Sequence, residues 1–511
     1  MKRLLLFLIC IICGCVDKHD TSKNVFDILA EGKGSDLKNV VEFYKNTGDS
    51  LKLEAAYFLL QNMPGLGSEH VIIASDSGKI NYYDYLSTNS RPDTLNLVYE
   101  SDFVEDVHQI SSEYLIENIE KAFTAWENAP WRNEVKFKDF CEYILPYRFG
   151  YELLENWRDS VHYQNTWVLD SIKKSESLKT ACTLINNDIR SWFTYVNTQS
   201  TSDLLLSYSK LHNVKAGSCL GFTGINAFTM RTFGIPVMVD FVPYWADANG
   251  GHSWNSIHIQ DSLFGLLWET GLSSTHELFP YDEKGELLHS VFRKSGKVYR
   301  KTSQIMENSL AEICANRDNI PPLFRNNRVK DVTQRYLPVS DVRIQLHRKF
   351  IQNNYAYICV FNNGQWEGIQ WSKISATGYT DFKDMGRDIV YLVSVYEQGK
   401  YIPASRPFHL TSEGEIVLLK ADTTHLANFI VEKRSHDVYI SYPDHKIIPG
   451  KSYLLYFWQY DDWKLLEKKE ALSRSIVFTK IPSKGLYRLR MYGSGGTERI
   501  FLYKDSQQVW M

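Results

Sequence analysis

Apolar positions recur at three- and four-residue spacing through DLKNVVEFYK and LKLEAAYFLLQNM, which predicts two helices within residues 25–66, the second stopped by Pro64-Gly65. The strongest helical pattern covers residues 111–129. Ser111 or Ser112 can cap it, Tyr114, Leu115, Ile119, Ala122, Phe123 and Trp126 fall on one face, and Pro130 ends it. A third helical zone runs over residues 165–197, so the first 200 residues are expected to be mostly α. From about residue 235 the period changes. VMVDFV, WNSIHI, LFGLLWE, YAYICVF, DIVYLVSVY, SYLLYFW and GLYRLRMY are short, β-branched or aromatic, and separated by turn residues. Strands at this spacing predict sandwich modules, and residues 331–511 are long enough for two, with a break near Thr423–Asn428.

The first fifteen residues, MKRLLLFLICIICGC, carry a charged start at Lys2 and Arg3 and an apolar run from Leu4 to Ile12. That run is too short to span a bilayer, which takes about 20 residues, and fits an export signal. Its end, Ile12-Cys13-Gly14-Cys15, resembles a bacterial lipobox, which implies cleavage before Cys15, lipidation of that thiol and a lipid-anchored envelope protein, expected at the outer membrane. Residues 16–24 then read as a polar tether. With 57 Lys+Arg against 60 Asp+Glu, the chain lacks the basic excess of a protein built to coat nucleic acid. Of its eight cysteines, Cys141, Cys182, Cys219, Cys314 and Cys359 lie beyond the signal. Five is an odd number and no two are spaced CxxC, so an unpaired thiol with a chemical role is expected and a zinc site is not.

The informative segment is residues 214–271. Gly217-Ser218 precede Cys219, and an apolar helical pattern follows as far as Gly234-Ile235-Pro236. Cys219 is therefore placed at a helix N-terminus, where unsatisfied N–H groups favour a thiolate and can receive an oxyanion. Downstream, His252 opens the strand SWNSIHI, and LLWE makes a return strand. A cysteine nucleophile needs a base, and the base needs a third group to fix its tautomer. Asp261, nine residues on, is about 30 Å away along an extended strand at ~3.3 Å per residue and belongs to the hairpin tip. Pairing His252 with Glu269 centres the hairpin at Gln260-Asp261, so Glu269 is the expected third member. His258, on the same strand, and Asp240 and Asp247 are expected to be structural.

Gly217-Ser218-Cys219, Arg231-Thr232-Phe233-Gly234-Ile235-Pro236, His252-Ser253-Trp254-Asn255 and Trp268-Glu269 together resemble the transglutaminase-like superfamily, including transglutaminase-domain lipoproteins of Bacteroidetes. Two departures stand out: Ser253 replaces the usual Ala, and Glu269 the usual Asp, without the two-residue gap after Trp268. The resemblance implies a multidomain α+β chain. Residues 25–165 would be a helical N-terminal region, 166–330 a papain-like catalytic domain, and 331–425 and 426–511 two β-sandwich modules. It implies a Cys219–His252–Glu269 triad acting on an amide of a peptide or glycopeptide through an acyl-thioester, hydrolysis being favoured over transfer. Trp192, Ser218 and Trp254 are the candidates for the oxyanion site or cleft, and no metal or organic cofactor is implied. The competing class is an inactive surface binder of glycans or proteins, with Trp366, Trp371, Trp458 and Trp463 available to stack on sugars.

Overall fold

The computed structural model describes residues 34–75, 78–81, 98–175, 177–196, 206–283, 287–288, 292–434, 446–494 and 498–511. The export signal, Cys15 and the tether lie outside them. The protein is a mixed α and β structure with several separate sheets. Among the described residues no helix is long and apolar enough to cross a membrane.

The N-terminal helices run Gly34–Thr47, Ser50–Gln61 and Ser112–Glu127. Asp49 caps the second by accepting from Lys52 N–H at 3.0 Å, and Ser111 caps the third by accepting from Tyr114 N–H at 3.2 Å. Leu115, Ile119, Ala122, Phe123 and Trp126 are buried, as the pattern predicted. The helical N-terminal region also contains a small sheet that the pattern did not predict. Gly67–Ser75, Gly78–Asn81 and Val98–Glu105 form an antiparallel sheet with the first strand in the middle. The short β-branched run Val71-Ile72-Ile73 is the strand signal that the helical reading passed over.

The centre of the molecule is the helix Cys219–Thr232, buried on nearly every side from Gly221 onward. Four of its polar side chains donate within the helix. Thr223, Asn226, Thr229 and Thr232 donate to the carbonyls of Cys219, Phe222, Ile225 and Phe228 at 2.6, 3.0, 2.8 and 3.0 Å. Bonding back four residues lets hydroxyls and an amide enter a core without stranded donors. One hydrophobic core joins the N-terminal helices, the helix Leu178–Trp192 and this central helix, so the N-terminal region is not a separate body.

The central helix packs on a six-stranded antiparallel sheet. Its spatial order is Val329–Asp331, Tyr299–Lys301, Met238–Val242, His252–Ile259, Ser262–Leu267 and Gly271–Ser274. The strand Val329–Asp331 crosses the expected boundary at residue 330, and Val332, Tyr336 and Leu337 remain in the core behind this sheet.

Beyond it lie two β units. In the first, Val339–Gln345 pairs Tyr379–Gly386, and a larger sheet is built on Tyr355–Asn362 and Ile389–Glu397. In the second, Asp422–Val431 pairs Ile476–Ser483, facing a five-stranded sheet centred on Ser452–Gln459 and Tyr487–Met491. Each pair of sheets encloses its own apolar cluster, as in a sandwich. The expected boundary at 425 falls inside the strand Asp422–Val431. Trp366 and Trp458 are buried between the units with ring centroids 5.8 Å apart, and Trp371 and Trp463 pack against the same cluster. Trp366 and Trp458 are therefore core, while Trp371 and Trp463 remain half-buried.

Candidate active site

Ser218 starts the central helix in an extended conformation, and its hydroxyl accepts from Leu220 N–H at 3.2 Å. Ser218 therefore serves as the helix cap. Cys219 is the first helical residue, its thiol half-buried at the end where the helix dipole is positive.

His252 is the first residue of its strand, paired across from Val242. The loop ahead of it is pinned from a distance. Asn362, at the end of a strand in the first β unit, donates to the carbonyls of Trp245, Ala248 and Gly250 at 2.9, 2.9 and 3.0 Å and accepts from Gly250 N–H at 2.9 Å. Arg499 of the second unit donates to Ala246 O. At Gly251 a Cβ would stand 2.4 Å from the carbonyl oxygens of Val242 and Pro243, so only glycine lets the chain turn this tightly into His252. The imidazole then lies among aromatic rings. Trp245 and Trp254 are nearly parallel to it at 6.3 and 6.1 Å, and Phe292 meets it edge-on at 5.5 Å.

Cys219 and His252 form one electrostatic pair. Burial disfavours the thiolate, but the hydrogen bond and charge of His252, joined by the hydroxyl and N–H of Ser253, outweigh it and hold the thiol below its ordinary range. Burial likewise disfavours the imidazolium, yet Cys219 and, more weakly, the charge of Glu269 raise the His252 pKa. The other buried thiols go the opposite way. Burial pushes Cys141 up to about 12 and raises Cys182 and Cys359 further. An ion pair at a helix N-terminus is the arrangement that makes a cysteine nucleophilic near neutral pH.

Glu269 is placed less closely than expected. The hairpin register pairs Asn255 with Leu266 and Ile259 with Ser262 around a two-residue turn, Gln260-Asp261, and its extension sets Glu269 opposite His252. The return strand ends at Leu267, however, and Glu269 lies in the turn that follows. Arg190 holds that turn, donating to Trp268 O at 2.6 Å and Glu269 O at 3.2 Å. The buried Nε2 of His252 has no hydrogen-bond partner, so Glu269 reaches the ring by charge alone. Asp261 is exposed at the hairpin tip.

The remaining candidates divide plainly. The indole N–H of Trp192 donates to Asp188 at 3.1 Å within its own helix and is not available to an oxyanion. Trp254 is 1% exposed and its N–H donates to Tyr336 OH at 3.2 Å, which makes it a wall behind His252 and not a cleft residue. Asp240 is fully buried and ion-paired with Arg300 at 2.7 Å, and Asp247 is paired with Arg293 at 3.0 Å. His258 is exposed. Sequence reasoning missed Ser253 as a thiolate partner and Trp245, Phe292 and Asn362 as the setting of His252. Ser253 announced itself only as a departure from the expected Ala. Among the described residues no group of three or more His, Cys, Asp or Glu side chains is placed to hold a metal ion.

No family model matches the chain, and no curated protein matches it. Among solved structures, the transglutaminase of red sea bream is similar over 89% of this chain and 78% of its own, at 9% sequence identity and a TM-score of 0.22. So remote a likeness carries no argument about the reaction.

Proposed function

We propose that this protein is a transglutaminase-like cysteine hydrolase or acyltransferase, exported and held at the cell envelope by a lipid on Cys15, that acts on an amide bond of a peptide or glycopeptide. The observation that carries the reading is the Cys219–His252 pair, with the thiol lowered and the imidazole raised at the start of a buried helix. The Cys219 thiolate attacks the amide carbonyl carbon, and the resulting oxyanion is received by N–H groups of the first helical turn. Collapse of this adduct breaks the C–N bond. His252, which holds the proton in the ion pair, gives it to the departing amine, and the acyl group stays on sulfur as a thioester. Neutral His252 then takes a proton from water or from an acceptor amine as it attacks, and the thiolate leaves. Water gives an acid, an amine gives a new amide. Glu269 stabilises the imidazolium through its charge. Each turnover restores the ion pair, so no redox change or added cofactor enters the balance.

Turnover of a panel of peptide and muropeptide amides, read as amine release with and without an added amine donor, tests the reading. Release that disappears in Cys219→Ala is expected. Release that survives this change means the sulfur is not the nucleophile. A wild-type protein that releases nothing from the panel while retaining high-affinity peptide or glycan binding would place it in the binder class.

A further inference from the structure

A cavity of about 250 Å3 lies between the N-terminal region and the six-stranded sheet, at the opposite end of the central helix from Cys219. Arg231 on that helix lines it, twelve residues along from Cys219 or about 18 Å at 1.5 Å per residue. Lys301 at the end of a sheet strand and Arg328 line it too. Phe58, Leu66 and Tyr151 contribute its apolar side.

Arg148 and Arg317 in the lining are paired with Asp106 and Glu312, but among the described residues neither Arg231 nor Lys301 has a carboxylate within ion-pair distance. Arg231 is 7% exposed; its Nη1 donates to Arg148 O at 2.7 Å, and its buried Nε has no partner. Lys301 has only a 3.4 Å contact to Phe149 O and the Phe149 ring at 4.6 Å. Arg328 spends its donors on the carbonyls of Ser303, Asn62 and Pro64. The acids nearby are committed to backbone. Glu142 accepts from Ser303 and Gln304 N–H at 2.5 and 3.2 Å, and Glu152 accepts from Phe149 and Gly150 N–H at 2.8 and 2.7 Å. Arg148 is paired with Asp106. Burial pushes Lys301 down to about 8, the charge of Arg231 adding to the fall and that of Glu152 opposing it. A buried guanidinium and a buried ammonium without carboxylate partners carry a desolvation cost, and an anion at the cavity offsets it.

We infer that this cavity is a binding site for a small molecule carrying an oxyanion, a phosphate ester or a carboxylate, with the oxyanion taken by Lys301 Nζ under the positive charge of Arg231 and an apolar remainder set against Phe58, Leu66 and Tyr151. The volume equals that of about eight waters at ~30 Å3 each, which suits a ligand of benzoate or phenyl phosphate size. The site is separate from Cys219 and does not depend on the catalytic reading.

Calorimetric titration of the full chain at fixed ionic strength with inorganic phosphate, phenyl phosphate and benzoate tests it. Saturable binding is expected for at least one of them, weakened about tenfold or more in Lys301→Met. Whichever aromatic anion binds more tightly gives the class of the head group. Lys301→Met should leave Cys219 alkylation unchanged, which reports that the variant is folded. No saturable binding of any probe at millimolar concentration, or binding indifferent to Lys301→Met in a variant with normal Cys219 reactivity, overturns the inference.

Discussion

Removing one oxygen behind the His252 strand should destabilise the whole central sheet. Tyr336 lies outside the expected catalytic segment, yet its hydroxyl donates to Asp240 at 2.6 Å. Asp240 also accepts from Ser256 Oγ at 2.6 Å and from Arg300 Nε and Nη2 at 2.7 and 2.8 Å. The same Tyr336 oxygen accepts from Trp254 Nε1 at 3.2 Å. Tyr336→Phe keeps the ring in place and loses both bonds. A hydrogen bond to a buried charge contributes about 1.5–3 kcal/mol, and a stranded indole N–H costs about 1–3 kcal/mol. Asp240 keeps three donors, which limits the sum to about 3–5 kcal/mol. At about 2–4 °C per kcal/mol for a domain of this size, Tm should fall by roughly 6–20 °C. Differential scanning calorimetry of the full chain reads the shift, and Cys219 alkylation at 25 °C should stay at the wild-type rate because the thiol pair is untouched. A Tm change under about 1 °C would refute the reasoning. It would mean that residues 332–337 lie over the sheet without belonging to its core.

Other substitutions separate the parts of the account. Gly234 has φ +69°, and a Cβ there would stand 2.4 Å from Ala125 O, so Gly234→Ala should cost about 2–5 kcal/mol from left-handed strain and overpacking, read by urea unfolding. Ser253→Ala, which installs the residue the resemblance leads one to expect, should raise the Cys219 pKa but leave it titrating with His252, since the Ser253 N–H remains. Glu269→Gln should lower turnover while preserving the fold, and Asp261→Asn should leave both turnover and fold unchanged; loss of turnover in Asp261→Asn but not in Glu269→Gln would show that the hairpin register does not govern the chemistry. Cys15→Ser should release the protein from membranes or stall its processing, and mass spectrometry of the mature N-terminus decides whether a lipid is present.

The helices could be read because period and caps agreed: Ser111 and the face from Leu115 to Trp126 give the same answer. The pairing of Cys219 with His252 was legible in outline, since a cap, a helix start and a strand start are all local features. What escaped depends on side-chain partners, one within the same helix and the others distant in sequence. Trp192 looked available, but Asp188 one turn earlier takes its N–H. Glu269 was placed by strand register, but Arg190 binds the carbonyls of Trp268 and Glu269 and the strand ends at Leu267. The catalytic unit was ended at residue 330, because a three-residue edge strand and a buried Tyr336 leave almost no periodic trace. Nor does Asn362 reveal from sequence that it fixes a loop more than a hundred residues earlier.

The central claim is that Cys219 and His252 share a proton as an ion pair, and the pH dependence of alkylation at Cys219 tests it most directly. The thiol is lowered and the imidazole raised, so the two move towards each other; an ion pair requires the thiol to fall below the imidazole, which makes the pair thiolate and imidazolium between the two values. Acid removes it by protonating sulfur, and alkali removes it by taking the proton from the ring. Iodoacetamide should therefore label Cys219 fastest of the five mature thiols, with reactivity persisting below neutral pH. In His252→Ala that low-pH reactivity should vanish, as the thiol rises towards its ordinary value. A Cys219 that titrates like an ordinary thiol in the wild type, and is unchanged by His252→Ala, would contradict the account.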